Sequence, residues 1–344
     1  MGTIRPASLE PALPTPPVLT ATKSPVAGKQ AVSAQTSLNY SVAKVIAIFT
    51  VVAGHWFTGT ILWIPVTFGL FVFAFSSGFF TSAIYGPAVD RRRFWRKKLE
   101  RLGLRYWIIL AFLAVVVALK GKTIFHWHTL VHAAGLSGVL NWAAIPNRSG
   151  LGAGLWFFTL LLVFYIAYPY LARLAQSRSA AVAATAVAFA STIYLEENVK
   201  VGHELWLTSF GFIAGVMFGA REVRLAPHWL LAAALGSCIA LLGVNLSGYK
   251  SINTILITTA SLLIALWLAR AELPQWRILH RVAALDKYLL EIFLIHTYLF
   301  LRPTGHTLVD FLLSLVLIVT VCVLVSRMAT WATTRVFDSK GGPG

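Results

Sequence analysis

The sequence has few charged residues, which make up 12% of its 344 positions and include only 12 acidic residues. A soluble protein of this size carries about 25% charged residues, so the composition argues against a water-soluble globular chain. The chain also has only two cysteines, Cys238 and Cys322, each inside an apolar stretch. This argues against a disulfide framework or a thiolate metal site, and both residues are interpreted as small core side chains.

Signature motifs of several enzyme classes are missing. The sequence contains no glycine-rich phosphate loop of the form GxxxxGK[ST], which argues against an ATPase. It contains no GxSxG nucleophile elbow, which argues against a serine hydrolase of the α/β type. We also detect no internal repeat and no heptad pattern.

The chain is rich in long apolar runs, and 58% of its residues are hydrophobic. Ten runs approach the roughly 20 residues that an α-helix needs to cross a bilayer. The predicted fold class is therefore an all-α integral membrane protein with about ten transmembrane helices. These are predicted near 41–63, 65–85, 103–119, 151–171, 179–195, 204–220, 226–246, 251–269, 285–301 and 307–329.

The distribution of positive charge predicts the orientation in the membrane, because Lys and Arg are enriched on the cytoplasmic side of membrane proteins. With alternating spans and the amino terminus inside, 22 of the 29 Lys and Arg residues lie inside and six outside, with Lys44 in the first span. Both termini are therefore predicted to be cytoplasmic. The net charge of +17 is attributed to this bias and not to nucleic-acid binding.

Composition divides the chain into three parts. Residues 1–38 are rich in Pro, Ala, Ser and Thr and have no apolar run, so they are predicted to be a disordered cytoplasmic tail rather than a signal peptide. Residues 39–332 form the predicted transmembrane domain, and 333–344 a flexible C-terminal tail. The longest stretch between spans, 120–150, is predicted to lie outside.

Two ionisable residues, Lys44 and His55, lie in the first span. Eleven residues make about three helical turns, which places both side chains on one face about 16 Å apart. Ionisable groups inside membrane helices are costly and often mark a site. A desolvated histidine stays neutral and can act as a base, although a lone histidine is more often a packing residue. Lys44 alternatively extends to the lipid headgroups.

A basic cluster, DRRRFWRKKLERLGLRYW, precedes the third span. One interpretation is an anchor that attracts anionic lipid. The other is a phosphate site, because Lys97, Lys98 and Arg101 recur at helical spacing and can converge on one anion. Both interpretations remain open on composition alone.

Three further features lie in or between the spans. His296 is a second membrane histidine, and Glu291 on the same helix can contact another helix or pair with Lys44. Ser77 and Gly78 lie in the aromatic stretch FAFSSGFF and either permit close helix packing or open a narrow path. A metal site is not predicted, because no carboxylate or cysteine accompanies the loop histidines His126, His128 and His132.

With these motifs in order, the sequence resembles acyltransferase family 3, the integral-membrane O-acyltransferases that decorate bacterial surface and secreted glycans. The likeness extends over about 40–330. The family usually has Arg where this chain has Lys44. Five motifs support the resemblance: Lys44 to His55, SSGFF at 76–80, the inner basic motif with Lys97, Lys98 and Arg101, GLWFFTLLLVFYIAYP at 154–169, and EIFLIH ending at His296.

The resemblance implies a multi-pass protein of the bacterial inner membrane that uses cytoplasmic acyl-CoA, most often acetyl-CoA, and holds no permanent cofactor. The acceptor would be a sugar hydroxyl of a surface glycan, an exopolysaccharide or a lipid-linked oligosaccharide. His55 would be the base or would carry the acyl group transiently. The CoA phosphates would bind Lys97, Lys98 and Arg101. Supporting or lining roles would fall to Lys44, Ser77, Gly78, Trp156, Glu291 and His296.

Two other classes of function stay open. A proton-coupled transporter of a glycan or anionic metabolite would use Lys44, His55 and Glu291 as a relay. A non-catalytic partner in a glycan-assembly complex would tolerate the change at Lys44. The oligomeric state is not predicted.

Overall fold

The computed structural model describes residues 32–338 except 200, 202–204, 222–224 and 249–250. Within those residues the chain is helical and contains no strand. Most of the predicted tail 1–38 lies outside the described residues, but α1 begins at Ala34, so residues 34–38 belong to a helix. The last helix continues to Asp338, so residues 333–338 are also helical and only 339–344 of the predicted C-terminal tail lie outside the described residues.

Thirteen α-helices follow one another along the described residues. Eight of them are long and apolar enough to cross a membrane. They are α1 Ala34–Trp56, α2 Trp63–Tyr85, α3 Arg91–Leu119, α6 Trp156–Leu174, α7 Arg178–Asn198, α9 Pro227–Leu246, α10 Asn253–Arg270 and α13 Thr307–Asp338. The other five are α4 Trp127–Ala133, α5 Ser137–Trp142, α8 Leu205–Gly219, α11 Arg277–Ala283 and α12 Leu289–Ile295.

Helix α8 corresponds to the sixth predicted span, 204–220, and has only 15 residues. It packs so closely on α2 that glycines are required on both sides. A Cβ at Gly215 would lie 2.1 Å from the Phe75 carbonyl oxygen, and one at Gly78 would lie 2.3 Å from the Phe212 carbonyl oxygen. Small residues permit this approach of two backbones, which drives helix association in membranes.

The ninth predicted span, 285–301, is not a continuous helix. A 3₁₀ turn, Asp286–Tyr288, leads into α12, which has seven residues, and a second 3₁₀ turn, His296–Tyr298, follows it. Non-helical backbone at membrane depth is tolerated only where protein surrounds it. Every residue of Leu289–Ile295 except Leu290 is buried, and so is His296, which meets that condition.

The predicted outer stretch 120–150 contains two short helices, α4 and α5. The side chains of His128 and His132 on α4 are buried. The hydroxyl of Tyr106 on α3 donates a 2.5 Å hydrogen bond to the His132 carbonyl, which fixes the stretch to the bundle.

Candidate active site

A cavity of about 720 Å³ opens at the end of the bundle where α3 begins, here called the basic end. Helices α1, α2, α3 and α6 and the segment 283–290 line it. Asp286 is the only acidic residue among its described lining residues. The basic lining residues are Lys44, Lys98, Arg101, Arg105 and Lys287. Such an excess of cations in a concave, partly apolar space suits an anionic ligand.

Three cations of α3 face this cavity in a row. Lys98, Arg101 and Arg105 are three and four residues apart, which places them on one face of the helix. Lys97 points about 100° away from Lys98 around the axis of α3. Its side chain is exposed and does not line the cavity. The structure thus brings two members of the predicted trio, Lys98 and Arg101, together at the cavity, leaves Lys97 outside it, and adds Arg105 to the row.

Aromatic rings hold Lys98 at the cavity wall. Its ammonium lies 4.2 Å from the ring centroid of Tyr165, and two further rings are more distant, at 5.5 Å for Tyr85 and 5.6 Å for Phe94. Cation–π contacts of this kind orient an ammonium without neutralising it. No carboxylate pairs with Lys98 among the described residues, so its ammonium is available to an anionic ligand.

Lys44 is neutralised by a partner remote in sequence. Its ammonium lies 2.7 Å from one carboxylate oxygen of Asp286 and 2.8 Å from the other. Ser41 donates to the same carboxylate at 2.8 Å. Lys44 therefore forms a half-buried ion pair at the cavity wall, which the alternative of extension to the headgroups did not predict.

Glu291 pairs with Arg105 on α3 and not with Lys44. Of the two alternatives drawn from the sequence, contact with another helix is therefore the one that the structure has. The carboxylate is fully buried and accepts a short hydrogen bond from the Arg105 guanidinium. Arg105 also donates to the Lys287 carbonyl at 2.9 Å and to the Ser326 hydroxyl at 2.6 Å. This network joins α3, α12 and α13 below the cavity, where a buried charge requires such compensation.

Ser77 and Gly78 have different roles although they are adjacent. Ser77 lines the cavity, and its hydroxyl lies 3.5 Å from the hydroxyl of Tyr165. Gly78 does not line the cavity and forms the close contact with α8, which agrees with the alternative of close helix packing. Helical periodicity explains the difference, because consecutive residues point about 100° apart.

An aromatic layer closes the cavity at the end away from the basic residues. At that end the cavity is lined by Phe73 and Phe157. The ring of Phe157 stacks on Phe293 with centroids 4.1 Å apart, and Trp156 packs edge-on against Phe293 at 5.5 Å. Trp156, predicted to support or line the site, belongs to this layer.

Two histidines lie beyond the layer, and we call them the histidine pair. His55 in the last turn of α1 is exposed, His296 is fully buried, and their ring centroids are 5.2 Å apart. His296 also lies 6.1 Å from Phe293, so the layer and the pair are in contact. Neither histidine is among the residues that line the cavity, and the aromatic layer lies between the two regions.

The three loop histidines are engaged within their own stretch. His132 contacts the Ser137 hydroxyl at 2.8 Å and the Asn147 side-chain oxygen at 3.3 Å, and the Nδ1 atoms of His126 and His128 lie 2.6 Å apart. Burial lowers the pKa of His132, so the ring is neutral near pH 7. Within the described residues no three His, Cys, Asp or Glu side chains group as metal ligands.

Sequence reasoning missed Arg105 and Asp286 as site residues. Arg105 belongs to the basic cluster, and its place seven residues after Lys98 was a helical-face signal that could have identified it. Asp286 carried no comparable signal, because its partner Lys44 lies 242 residues away.

Comparison with known proteins gives one match. A family model described as an acyltransferase domain, that of acyltransferase family 3, matches residues 38–328. No curated protein and no solved structure matches the chain. The matched segment is most of the chain and contains the cavity, the aromatic layer and the histidine pair, so this membrane protein belongs to acyltransferase family 3.

Proposed function

We propose that the protein is a membrane O-acyltransferase that moves an acyl group, most simply acetyl, from cytoplasmic acyl-CoA to a sugar hydroxyl of a bacterial surface glycan or its lipid-linked precursor. The observation that supports this most directly is the order of three parts along the bundle. A cation-lined cavity comes first, an aromatic layer follows, and a histidine pair lies beyond it.

The cavity suits the phosphate-rich head of CoA. Lys98 and Arg101 lie at its wall with no carboxylate partner among the described residues, and Arg presents a fork that matches phosphate oxygens. Lys44 and Arg105 are each held by a carboxylate and would shape the wall rather than carry the phosphates. The pantetheine arm would pass Ser77 toward Phe73 and Phe157.

Transfer requires the thioester to pass the aromatic layer. Lys44 and His55 are eleven residues apart on α1, about 16 Å along the axis, a distance that a pantetheine arm can span. Rotation of the Phe157 ring would open the layer. The rest of the time the layer would keep water from the thioester.

His55 would act as the base once the thioester arrives. It would take the proton of the sugar hydroxyl while the oxygen attacks the thioester carbonyl. The new C–O bond forms, the C–S bond breaks, and the proton on His55 passes to the CoA thiolate. Attack by a His55 nitrogen, with a transient acyl-histidine, is the competing route.

The proposal includes orientation and location. The basic end and both termini would lie on the cytoplasmic side of a bacterial inner membrane. Ten segments would cross the bilayer, of which two are short: α8 and the broken segment 286–298. The transporter alternative loses support, because its relay residues Lys44 and Glu291 are held in separate ion pairs.

The test uses purified protein in lipid with radiolabelled acetyl-CoA. We expect slow release of CoA and transfer of label to added glycan, both abolished in the His55→Ala variant. The matched control is His126→Ala, which changes a histidine that contacts His128 in the stretch 120–150. Release of CoA that persists in His55→Ala refutes the proposed role of His55, and no loss of thioester in the wild type refutes the acyltransferase.

A further inference from the structure

His296 has a fixed hydrogen-bonding pattern. Its Nδ1 atom lies 3.0 Å from the Ile292 carbonyl oxygen and 2.9 Å from the Phe293 carbonyl oxygen. A carbonyl oxygen can only accept, so Nδ1 must carry a hydrogen. A neutral imidazole carries one N–H, so the opposite atom, Nε2, holds a free lone pair.

That lone pair is buried and has no partner in the part of the chain that the structure describes. An unsatisfied buried acceptor costs about 1–3 kcal/mol, so structures retain few of them without a functional reason. The ring of His55 is the nearest ring that carries a polar hydrogen, with its centroid 5.2 Å away. Because each ring nitrogen lies about 1 Å from its centroid, a His55 nitrogen and Nε2 come to about 3 Å, the length of a hydrogen bond, when both lie on the line between the two centroids.

We infer that His296 is a positioning residue that fixes the tautomer of His55: its Nε2 accepts the single N–H of His55 and leaves the other His55 nitrogen unprotonated toward the exposed side. The inference rests on the proposed function for its catalytic meaning. A sugar hydroxyl arriving from the exposed side would then meet a lone pair and not a hydrogen.

The arrangement corresponds to the acid that orients the histidine of a catalytic triad, with a neutral imidazole in the place of the carboxylate. Burying a charged carboxylate at this position would be far more costly than burying a neutral ring. The backbone carbonyls of α12 supply the orientation that a charge would otherwise supply. The break after Ile295 into the 3₁₀ turn leaves His296 at the end of that helix, where its side chain can bend back to them.

Two substitutions separate this role from packing. Gln extends its amide to about the position of Nε2 and restores an acceptor there, whereas Asn restores only the donor at the position of Nδ1. We expect His296→Asn to lower kcat for acetyl transfer about 100-fold, the lower range of base-dependent catalysis, and His296→Gln to recover about tenfold of that loss. Rescue by Asn and not by Gln would overturn the inference and make His296 a packing residue.

The tautomer is measured without any reaction. In protein labelled with ¹⁵N-histidine and embedded in lipid, the His296 signals are those lost in His296→Gln. We expect a protonated Nδ1 and an unprotonated Nε2 at pH 7.5, and the reverse assignment overturns the inference. A wild type that transfers no acetyl group but shows this tautomer refutes the proposed function and leaves the hydrogen-bonding assignment supported.

Discussion

The adjacent lysines Lys97 and Lys98 allow the donor site to be tested with a matched pair of substitutions. Both are replaced by Gln, so the loss of charge and the change in size are the same. Lys98 lies in the cavity against Tyr165, whereas Lys97 is exposed on the next face of the helix. Only Lys98→Gln should affect binding of acetyl-CoA.

The size of the effect follows from the surroundings of Lys98. A hydrogen bond to a charged group contributes about 1.5–3 kcal/mol, and partial exposure of the ammonium favours the lower half of that range. Since 1.4 kcal/mol corresponds to a factor of ten, Kd for acetyl-CoA should rise about 10–30-fold. The contact is remote from the reacting atoms, so kcat should stay within about twofold while KM rises.

Titration calorimetry on the protein in lipid nanodiscs measures Kd, and CoA release measures kcat and KM. The cavity opens to solvent, so moderate salt should weaken wild-type binding and reduce the difference between Lys98→Gln and the wild type. Equal weakening by Lys97→Gln and Lys98→Gln would show that the cluster acts only as a diffuse charge. An unchanged Kd in Lys98→Gln would refute the cavity as the donor site.

Three further predictions concern stability and pH. Gly78→Ala should destabilise the protein by about 1–3 kcal/mol, because the new methyl group overlaps the α8 backbone, whereas Gly236→Ala adds its methyl in open space; thermal unfolding in detergent compares them. Glu291→Gln should cost about 3–5 kcal/mol by leaving Arg105 without its buried partner, and an unfolding midpoint equal to the wild type would contradict the pairing. Burial lowers the pKa of His132, so the neutral ring stabilises the fold above about pH 6.5, and this stabilisation is lost as the pH falls below that value. Hydrogen exchange in 120–150 should therefore accelerate at pH 5.5, and it should accelerate less in the His132→Gln variant.

The membrane class, the approximate positions of the apolar helices and the two membrane histidines could be predicted from the sequence. Hydropathy and helical spacing are local properties, so they identify α2, predicted at 65–85, to within two residues and place Lys44 and His55 on one face. Helix α1 begins and ends seven residues before the predicted span 41–63. The same local reasoning grouped Lys97 with Lys98 and Arg101 and left Gly78 open between helix packing and a narrow path, because spacing alone does not say which face meets which neighbour.

Only the tertiary structure decided the partners. Lys44 pairs with Asp286 across 242 residues and Arg105 with Glu291 across 186, and nothing local in the sequence favours these pairs over Lys44 with Glu291. The break in the segment 286–298 is likewise tertiary, since surrounding helices bury its backbone and allow it to leave the α-helical pattern at membrane depth. The sequence thus determined which groups enter the membrane, and packing determined which of them meet, because distances between remote segments depend on how all the helices fit together at once.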